Sequence, residues 1–168
     1  MNAITRQLEY VNNLNNDLKK SILWYTKSNY ESLNKVLREK SKLSDTQAKN
    51  LVNIDYSFLL APRSAENIYV YRGINSSEIY STHGFLSTSL DKNEAINFIN
   101  DRTCCLLEIL VPENSKFLPV MFLSQRPTEQ EIILDRDGTI TVLGKRVEKI
   151  YYKDSSYHTI TVLKCVYT

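Results

Sequence analysis

The sequence predicts an α+β fold in which a helical N-terminal lobe packs against two antiparallel β-sheets. Up to Ala61, apolar side chains recur every three or four positions, which is typical of amphipathic helices. From Asn67 onward, short runs of β-branched and aromatic residues alternate with glycine, proline and aspartate, which is typical of strands and turns. We therefore expect a single domain over residues 1–168, with a helical lobe over 1–61 and a β-core over 67–168.

The helical lobe is predicted from one apolar stripe and two capping patterns. The stripe consists of Ile4, Leu8, Val11, Leu14 and Leu18, and it can be extended by Ile22 and Tyr25. A serine followed three residues later by glutamate or glutamine is the pattern of a capping box at a helix start. This pattern occurs at Ser28–Glu31 and again at Ser44–Gln47, so helices are expected to begin at both places. Pro62 closes the region.

The β-core is predicted from apolar runs that end at turn residues. Strands are expected over Ile68–Arg72, Gly84–Leu90, Cys104–Val111, Glu129–Leu134, Thr139–Val142, Val147–Tyr152 and Thr159–Val166. Turns are expected at Asp137–Gly138 and at Gly144–Lys145. After the second strand, Asp91 is a suitable cap for a helix that continues to Asn100.

Composition argues against several classes of protein. Twenty-one basic and nineteen acidic side chains leave a formal charge of +2, which gives no footprint for nucleic acid or an anionic membrane. The three cysteines, with Cys104 and Cys105 adjacent, suit neither a disulfide framework nor a metal site. No signal peptide and no stretch of the roughly 20 apolar residues that span a bilayer is present. We expect a cytosolic protein with no nucleic-acid, membrane or metal partner.

Three segments place polar side chains on or at the end of apolar strands. Tyr71-Arg72-Gly73 ends a strand with a charge that needs a partner if it points inward. Ser87-Thr88-Ser89 offers three small hydroxyl groups against which a planar polar ligand can lie. Glu129-Gln130-Glu131, read as a strand, places two carboxylates on one face, where each shifts the pKa of the other. Taken singly, each segment is more simply a surface strand end or an ordinary strand.

Taken in this order, the three segments resemble the Arg–Ser–Glu signature of the ADP-ribosyltransferase toxin superfamily. Arg72 matches its arginine motif, Ser87-Thr88-Ser89 its S-T-S motif, and Glu129-Gln130-Glu131 its E-x-E motif. The helical lobe is similar to that of actin- and Rho-modifying exotoxins, whose Y-T…Y…N…L-R pattern matches Tyr25-Thr26, Tyr30, Asn34, Leu37 and Arg38. The resemblance implies two roughly perpendicular sheets around an NAD⁺ cleft.

The resemblance also implies roles for residues around NAD⁺, which is a substrate here, with no metal involved. Arg72 would bind the pyrophosphate, and Ser87 would position the nicotinamide ribose and the catalytic Glu131. Gly73 would hold the nicotinamide amide through its backbone, and Phe98 would form a wall beside the ring. Thr88 and Ser89 would shape the strand on which the dinucleotide lies.

The resemblance implies that Glu129 selects the acceptor. A guanidinium has a pKa above about 12 and no free lone pair, so a carboxylate must orient it and take its proton. In the resembling family, glutamate at this position accompanies arginine acceptors, which implies transfer of ADP-ribose to arginine on a host or target protein. The loop over residues 122–128 would read that protein, with Phe122 as its aromatic contact or, equally, as a core residue. Lack of a leader favours synthesis in, or delivery into, the target-cell cytosol.

Other functions stay open on the sequence alone. An NAD⁺ glycohydrolase would need the same Arg72, Ser87 and Glu131, and a degenerate module would bind NAD⁺ or a partner without catalysis. A cysteine hydrolase would have to use Cys104 or Cys105 with His83, but both cysteines lie in apolar sequence. The tyrosines near residues 151–157 could stack on bases, although sheet-forming tyrosines explain them better with this charge balance.

Overall fold

A computed structural model describes residues 3–74, 83–99, 105–124, 126–151 and 156–168. The expectations for Asn100, Cys104 and Tyr152 therefore lie outside the described residues. The N-terminal part is helical, as expected. Its helices are α1 (Thr5–Asn12), α2 (Asn16–Trp24), α3 (Tyr30–Glu39) and α4 (Asp45–Leu60), and a π-helical turn over Tyr25–Asn29 joins α2 to α3.

Two helix boundaries in the lobe differ from the expectation. The apolar stripe is divided between α1 and α2, because the Asn15 side chain accepts a hydrogen bond from Leu18 N at 3.0 Å and caps a new helix. No helix begins at Ser28, which lies inside the π-helical turn. The chain stays helical there, and buried side chains on both sides, Tyr25 and Leu33, pack in the same core. The capping box at Ser44–Gln47 is confirmed.

The second part of the chain forms strands and one short helix. The strands are β1 (Ile68–Ile74), β2 (Leu86–Ser89), β3 (Cys105–Val111), β4 (Phe117–Pro119), β5 (Glu131–Leu134), β6 (Ile140–Tyr151) and β7 (Tyr157–Tyr167). Helix α5 (Lys92–Asn97) follows β2, and the Asp91 side chain caps it by accepting from Asn93 N at 2.8 Å. The α+β class is thus confirmed.

Within the described residues, the strands form a single sheet in the order β4-β5-β2-β1-β3-β7-β6. Its two parts, β4-β5-β2 and β1-β3-β7-β6, are joined by one register pair, Tyr71 with Ser89. Strands β3 and β7 are parallel, whereas the other neighbouring strands are antiparallel. The sequence had predicted two antiparallel sheets. The difference arises because apolar alternation indicates which face of a strand is buried but not the direction of the neighbouring strand.

The two parts of the sheet pack on each other through a shared apolar cluster. Members from the longer part include Val70, Ile109 and Leu163, and members from the shorter part include Phe117, Ile132 and Leu134. A second cluster joins the helical lobe to the opposite face of the shorter part. A third lies between α5 and the longer part. The junction of β1 with β2, at the register pair of Tyr71 and Ser89, therefore lies where the lobe, α5 and both parts of the sheet come together.

Asn34 fixes the helical lobe against the segment that leads into β2. Its Oδ1 accepts from Phe85 N at 2.9 Å, and its Nδ2 donates to Phe85 O and to the Tyr25 hydroxyl, each at 3.1 Å. The Phe85 ring stacks on Phe58 and meets Tyr25 edge-on, with ring centroids 5.6 Å apart in both pairs. Since buried backbone groups need partners, this amide determines where Ser87 sits relative to the lobe.

The turn expected at Gly144–Lys145 is absent, because β6 runs without interruption from Ile140 to Tyr151. A register shift lies between Val142 and Gly144 opposite β7. Pairing with β7 continues on both sides of this point, so the extra residue, Leu143, is accommodated as a bulge. The turn expected at Asp137–Gly138 is confirmed, with Gly138 N donating to Asp135 O at 3.2 Å.

Candidate active site

A cleft of about 790 Å³ lies between the helical lobe and the junction of the two sheet parts. This volume is in the usual range of small-molecule sites. All but one of the site residues expected from the sequence line this cleft. These residues are Arg72, Gly73, Ser87, Thr88, Ser89, Phe98, Glu129 and Glu131. The exception is Phe122, which is 65% exposed and does not line the cleft. The core alternative for Phe122 is wrong, and its contact with an acceptor stays a prediction.

Strand register places the serine and glutamate motifs on one face. In the β2–β5 ladder, Ser89 is opposite Glu131 and Ser87 is opposite Ile133, so Ser87 and Glu131 point to the same side. The Ser87 side chain is close enough to the Glu131 carboxyl group and to the Tyr25 hydroxyl to lower the pKa of both. Tyr25 in turn accepts a hydrogen bond from Asn34 Nδ2 at 3.1 Å. A row of polar groups thus runs from Asn34 in the helical lobe to the Glu131 carboxyl group.

Burial is the main influence on Glu131. It raises the pKa of this carboxyl group to about 7, because a charged carboxylate loses solvation in the cleft wall. The hydrogen bond from Ser87 opposes the shift, nearby Glu129 adds to it, and nearby Arg72 opposes it. A carboxyl group balanced in this way ionises close to neutral pH, and strongly shifted groups of this kind are concentrated at functional sites.

The raised pKa has a measurable consequence for stability. A carboxyl group with a raised pKa in the folded state stabilises the fold below its unfolded pKa, and this contribution is lost as pH rises through about 7. We expect the free energy of unfolding of the wild type to fall by about 3 kcal/mol relative to Glu131→Gln on raising the pH from about 4.5 to about 8. Urea unfolding of both proteins at each pH tests this. Parallel stability curves for the two proteins would show that Glu131 titrates normally.

Arg72 connects the two parts of the sheet beside the cleft. Its Nη1 donates to the backbone carbonyl of Ser87 at 2.7 Å. A guanidinium has five N–H donors, so this bond leaves most of them for another acceptor. Because β1 and β2 share one register pair, this bond also fixes the position of Ser87 beside Arg72.

Packing explains why position 73 is a glycine, which the sequence alone did not reveal. A Cβ at this position would lie 2.8 Å from both the backbone oxygen of Ala95 and Cγ1 of Ile99. Glycine therefore lets the α5 segment approach β1 closely. This approach brings Phe98, which follows α5 and is 62% exposed, into the cleft lining. The salt bridge between Lys92 Nζ and Glu148 Oε1, at 2.6 Å, also holds α5 on the sheet.

The other two hydroxyl groups of the Ser87-Thr88-Ser89 motif are engaged within the fold. Thr88 Oγ1 donates to Ile132 O, and Ser89 Oγ donates to Glu129 O, both at 2.7 Å. Ser89 Oγ also accepts from Asp91 N at 2.9 Å. These bonds secure the β2–β5 pair and the backbone of Glu129.

Glu129 does not lie on a strand, which corrects the expectation for the E-x-E motif. Residues Pro127–Glu129 form a 3₁₀ turn, and β5 begins at Glu131. Between them Gln130 adopts a left-handed conformation with φ of 44°, which non-glycine residues rarely occupy. Glu129 and Glu131 nevertheless line one cleft. The left-handed turn at Gln130 brings them to the same side, as the alternation of side chains in a strand would have done. Arg126 Nη1 lies 3.3 Å from Glu129 Oε1.

The sequence singled out only part of one wall of the cleft. This wall and its continuation toward Glu129 consist of Leu23, Thr26, Lys27, Tyr30, Glu31, Ser124 and Arg126. Thr26 and Tyr30 belong to the pattern shared with the exotoxins, and Ser124 and Arg126 belong to the loop over residues 122–128. Leu23, Lys27 and Glu31 had no signal, because they reach the cleft only through docking of the lobe.

Several alternatives find no support in the described residues. No described cysteine or histidine lines the cleft, His83 is exposed, and Cys105 packs against the central apolar cluster. In the described ranges, no group of histidine, cysteine, aspartate or glutamate side chains is suited to hold a metal ion. The helices of the same ranges include none with the length and apolar character needed to cross a membrane.

Comparison with solved structures identifies similar folds. Plx2a, an ADP-ribosyltransferase toxin from Paenibacillus larvae, matches with a TM-score of 0.76 at 19% identity, over 99% of this chain and 92% of that one. The enzymatic component C2-I of the C2 toxin from Clostridium botulinum matches with a TM-score of 0.79 at 16% identity. That match covers 98% of this chain but 46% of C2-I, so the present chain spans about half of that protein.

Exoenzyme S from Pseudomonas aeruginosa, solved with human 14-3-3 protein beta and carba-NAD, matches with a TM-score of 0.71 at 16% identity, over 90% of this chain and 74% of that one. No curated protein sequence matches the chain. The family model for the ADP-ribosyltransferase exoenzyme matches in two overlapping segments, residues 5–82 and 74–165. The chain therefore belongs to the ADP-ribosyltransferase exoenzyme family, which uses NAD⁺ as the donor of ADP-ribose.

Proposed function

We propose that the chain transfers ADP-ribose from NAD⁺ to arginine side chains of a target protein. One observation carries the choice of arginine: Glu129 lies in the same cleft as Glu131 and already binds a guanidinium, that of Arg126, at 3.3 Å. Such a carboxylate can orient a guanidinium and accept its proton, as this nucleophile requires. An enzyme that only hydrolyses NAD⁺ has less need of a second carboxylate.

NAD⁺ would be held by groups from both parts of the sheet. Arg72 binds pyrophosphate oxygens through the donors not used by Ser87 O, since a planar fork suits phosphate. The exposed ring of Phe98 forms a wall beside the nicotinamide, and the backbone near Gly73 is the partner for its amide. Thr88 and Ser89 provide the strand surface along which the dinucleotide lies.

Cleavage of the bond between nicotinamide and ribose creates positive charge on the sugar, as in glycoside hydrolysis. Glu131 stabilises this charge and accepts a hydrogen bond from the ribose 2′-hydroxyl. The polar groups of Asn34, Tyr25 and Ser87 line up toward its carboxyl group and are in position to hold it before the reaction. Such preorganised charge accounts for a large share of the rate in comparable sites.

The partner and setting are part of the same proposal. The acceptor is an arginine on a host or target protein, read by the loop over residues 122–128 with the exposed Phe122 as an aromatic contact. Residues 1–168 act as a single catalytic domain, with the lobe over 1–61 forming one wall of the cleft. The reaction takes place in the cytosol of the target cell.

The direct test incubates the purified chain with labelled NAD⁺ and agmatine, a small molecule that carries a guanidinium, and in parallel with a target-cell lysate. We expect nicotinamide release, labelled agmatine, and label on arginine residues of lysate proteins mapped by mass spectrometry. Nicotinamide release with label only in free ADP-ribose would identify a glycohydrolase instead. No nicotinamide release at all would identify a non-catalytic module.

A further inference from the structure

The Arg126 side chain occupies the position that the acceptor would take. Its Nη1 lies 3.3 Å from Glu129 Oε1, and both residues line the cleft together with Glu131. The Arg126 side chain is 75% exposed, whereas that of Glu129 is 23% exposed. An arginine of the chain itself thus reaches from solvent to the carboxylate that selects the acceptor.

Local backbone structure holds Arg126 in this place. Arg126 N donates to Ser124 Oγ, and Glu129 N donates back to Arg126 O, both at 3.1 Å. On the other side, Ser89 Oγ anchors the backbone oxygen of Glu129 at 2.7 Å. The 3₁₀ turn therefore brings the two side chains onto one side, three residues apart, without help from another molecule.

Other arginines are engaged away from this position. Among the described residues, Arg72 and Arg126 are the arginines that line the cleft, and Arg72 is bonded to Ser87 O. Arg136 and Arg146 each form two hydrogen bonds to a carboxylate elsewhere in the fold, on Asp55 and Glu108. Exposed ion pairs such as Arg126–Glu129 contribute about 0–1 kcal/mol, so the guanidinium is free to move toward a bound substrate.

We infer that Arg126 is an acceptor of the chain's own reaction, so that the enzyme ADP-ribosylates itself at the mouth of its cleft. This inference rests on the proposed arginine specificity. In the step, an Arg126 Nη forms a bond to C1′ of the nicotinamide ribose while the bond from C1′ to nicotinamide breaks. The electron pair of that bond leaves with nicotinamide, and one guanidinium proton passes to Glu129. The product carries ADP-ribose beside Glu129 and blocks further acceptors, so modification stops at one group per chain.

The experiment uses the purified chain with NAD⁺ and no other protein, with intact mass and peptide mapping as readouts. We expect incorporation to saturate near one ADP-ribosyl group per chain, mapped to Arg126. Arg126→Lys lowers total incorporation at least tenfold. Arg63→Lys is the matched control, because Arg63 is an exposed arginine whose Nη1 donates to Asn114 O outside the cleft, and it incorporates as the wild type does. Glu131→Gln shows no incorporation, and the wild type incubated with free ADP-ribose in place of NAD⁺ shows none at Arg126, which excludes chemical glycation.

Dilution and a competitor complete the test. The initial rate per chain stays constant over a tenfold dilution, because the reacting groups belong to one chain, and excess agmatine lowers the incorporation. A rate that falls with dilution, or a label on another residue, would overturn the inference. Labelled agmatine with unmodified Arg126 would show a surface salt bridge only and leave the proposed function standing. Nicotinamide release without labelled agmatine would instead remove the arginine specificity, and the inference with it.

Discussion

Replacement of Glu131 by glutamine is expected to lower kcat for nicotinamide release by about 10²- to 10³-fold, at least as much as loss of one preorganised electrostatic partner. The carboxyl group lies beside Ser87 in a largely buried position, and its negative charge stabilises the positive charge that develops on the ribose. Glutamine keeps the shape but carries no charge. The interaction is stronger in the transition state than with bound NAD⁺, so KM should change much less than kcat.

Steady-state kinetics of NAD⁺ cleavage, followed by nicotinamide release, measures this effect. Glu113→Gln is the matched control, because it removes an exposed carboxylate that does not line the cleft. At pH 8 the Glu131→Gln protein should unfold at the same denaturant concentration as the wild type or a higher one, since the substitution removes a carboxyl group with a raised pKa. A variant that is stably folded and cleaves NAD⁺ within threefold of the wild-type rate would contradict the catalytic assignment.

Replacement of Glu129 by glutamine is expected to separate NAD⁺ cleavage from transfer. Label on agmatine should fall at least 100-fold, about the effect of removing a positioned general base. Nicotinamide release should stay within about tenfold of the wild type, because Glu131, Ser87 and Arg72 keep their contacts. Glutamine can still bind a guanidinium through its amide oxygen, but it cannot take the proton at neutral pH.

The two products are measured in one reaction, as labelled agmatine and as free ADP-ribose. The ratio of transfer to hydrolysis should be unchanged in Glu113→Gln and should collapse in Glu129→Gln. Parallel loss of both products would mean that Glu129 serves NAD⁺ cleavage itself. Unchanged labelling of agmatine would mean that another group orients the acceptor, and the argument for arginine from Glu129 would fail.

Much of the fold could be predicted because burial follows the residue pattern. Ile54 and Phe58 recur at helical spacing and pack in the core of the lobe, and the capping box at Ser44–Gln47 starts that helix as expected. The class and the division into helices and strands followed from such local rules. Strand partners did not, since Cys105–Val111 reads the same whether its neighbour β7 is parallel or antiparallel.

The helix and strand boundaries that were predicted wrongly lie where tertiary contacts override the local conformational preference. Ser28 is a good cap in isolation, but continuous helix between the buried Tyr25 and Leu33 is retained through a π-helical turn. Glu129 was expected on a strand, but Ser89 holds its backbone oxygen and Gln130 reverses the chain. A short polar segment has little intrinsic preference, so packing around it decides its conformation.

By itself, the sequence determined which chemical groups are present on the strands: a guanidinium in β1, a serine on β2 and a carboxylate at the start of β5. Only the tertiary structure decided that these groups share one cleft, that Tyr25 and Asn34 support Ser87 from the helical lobe, and that Arg126 lies on Glu129. Side-chain alternation is a local property with a period of two, whereas convergence brings together residues that are far apart in the sequence, such as Arg72 and Glu131, which are 59 positions apart. Local pattern carries no information about such distances.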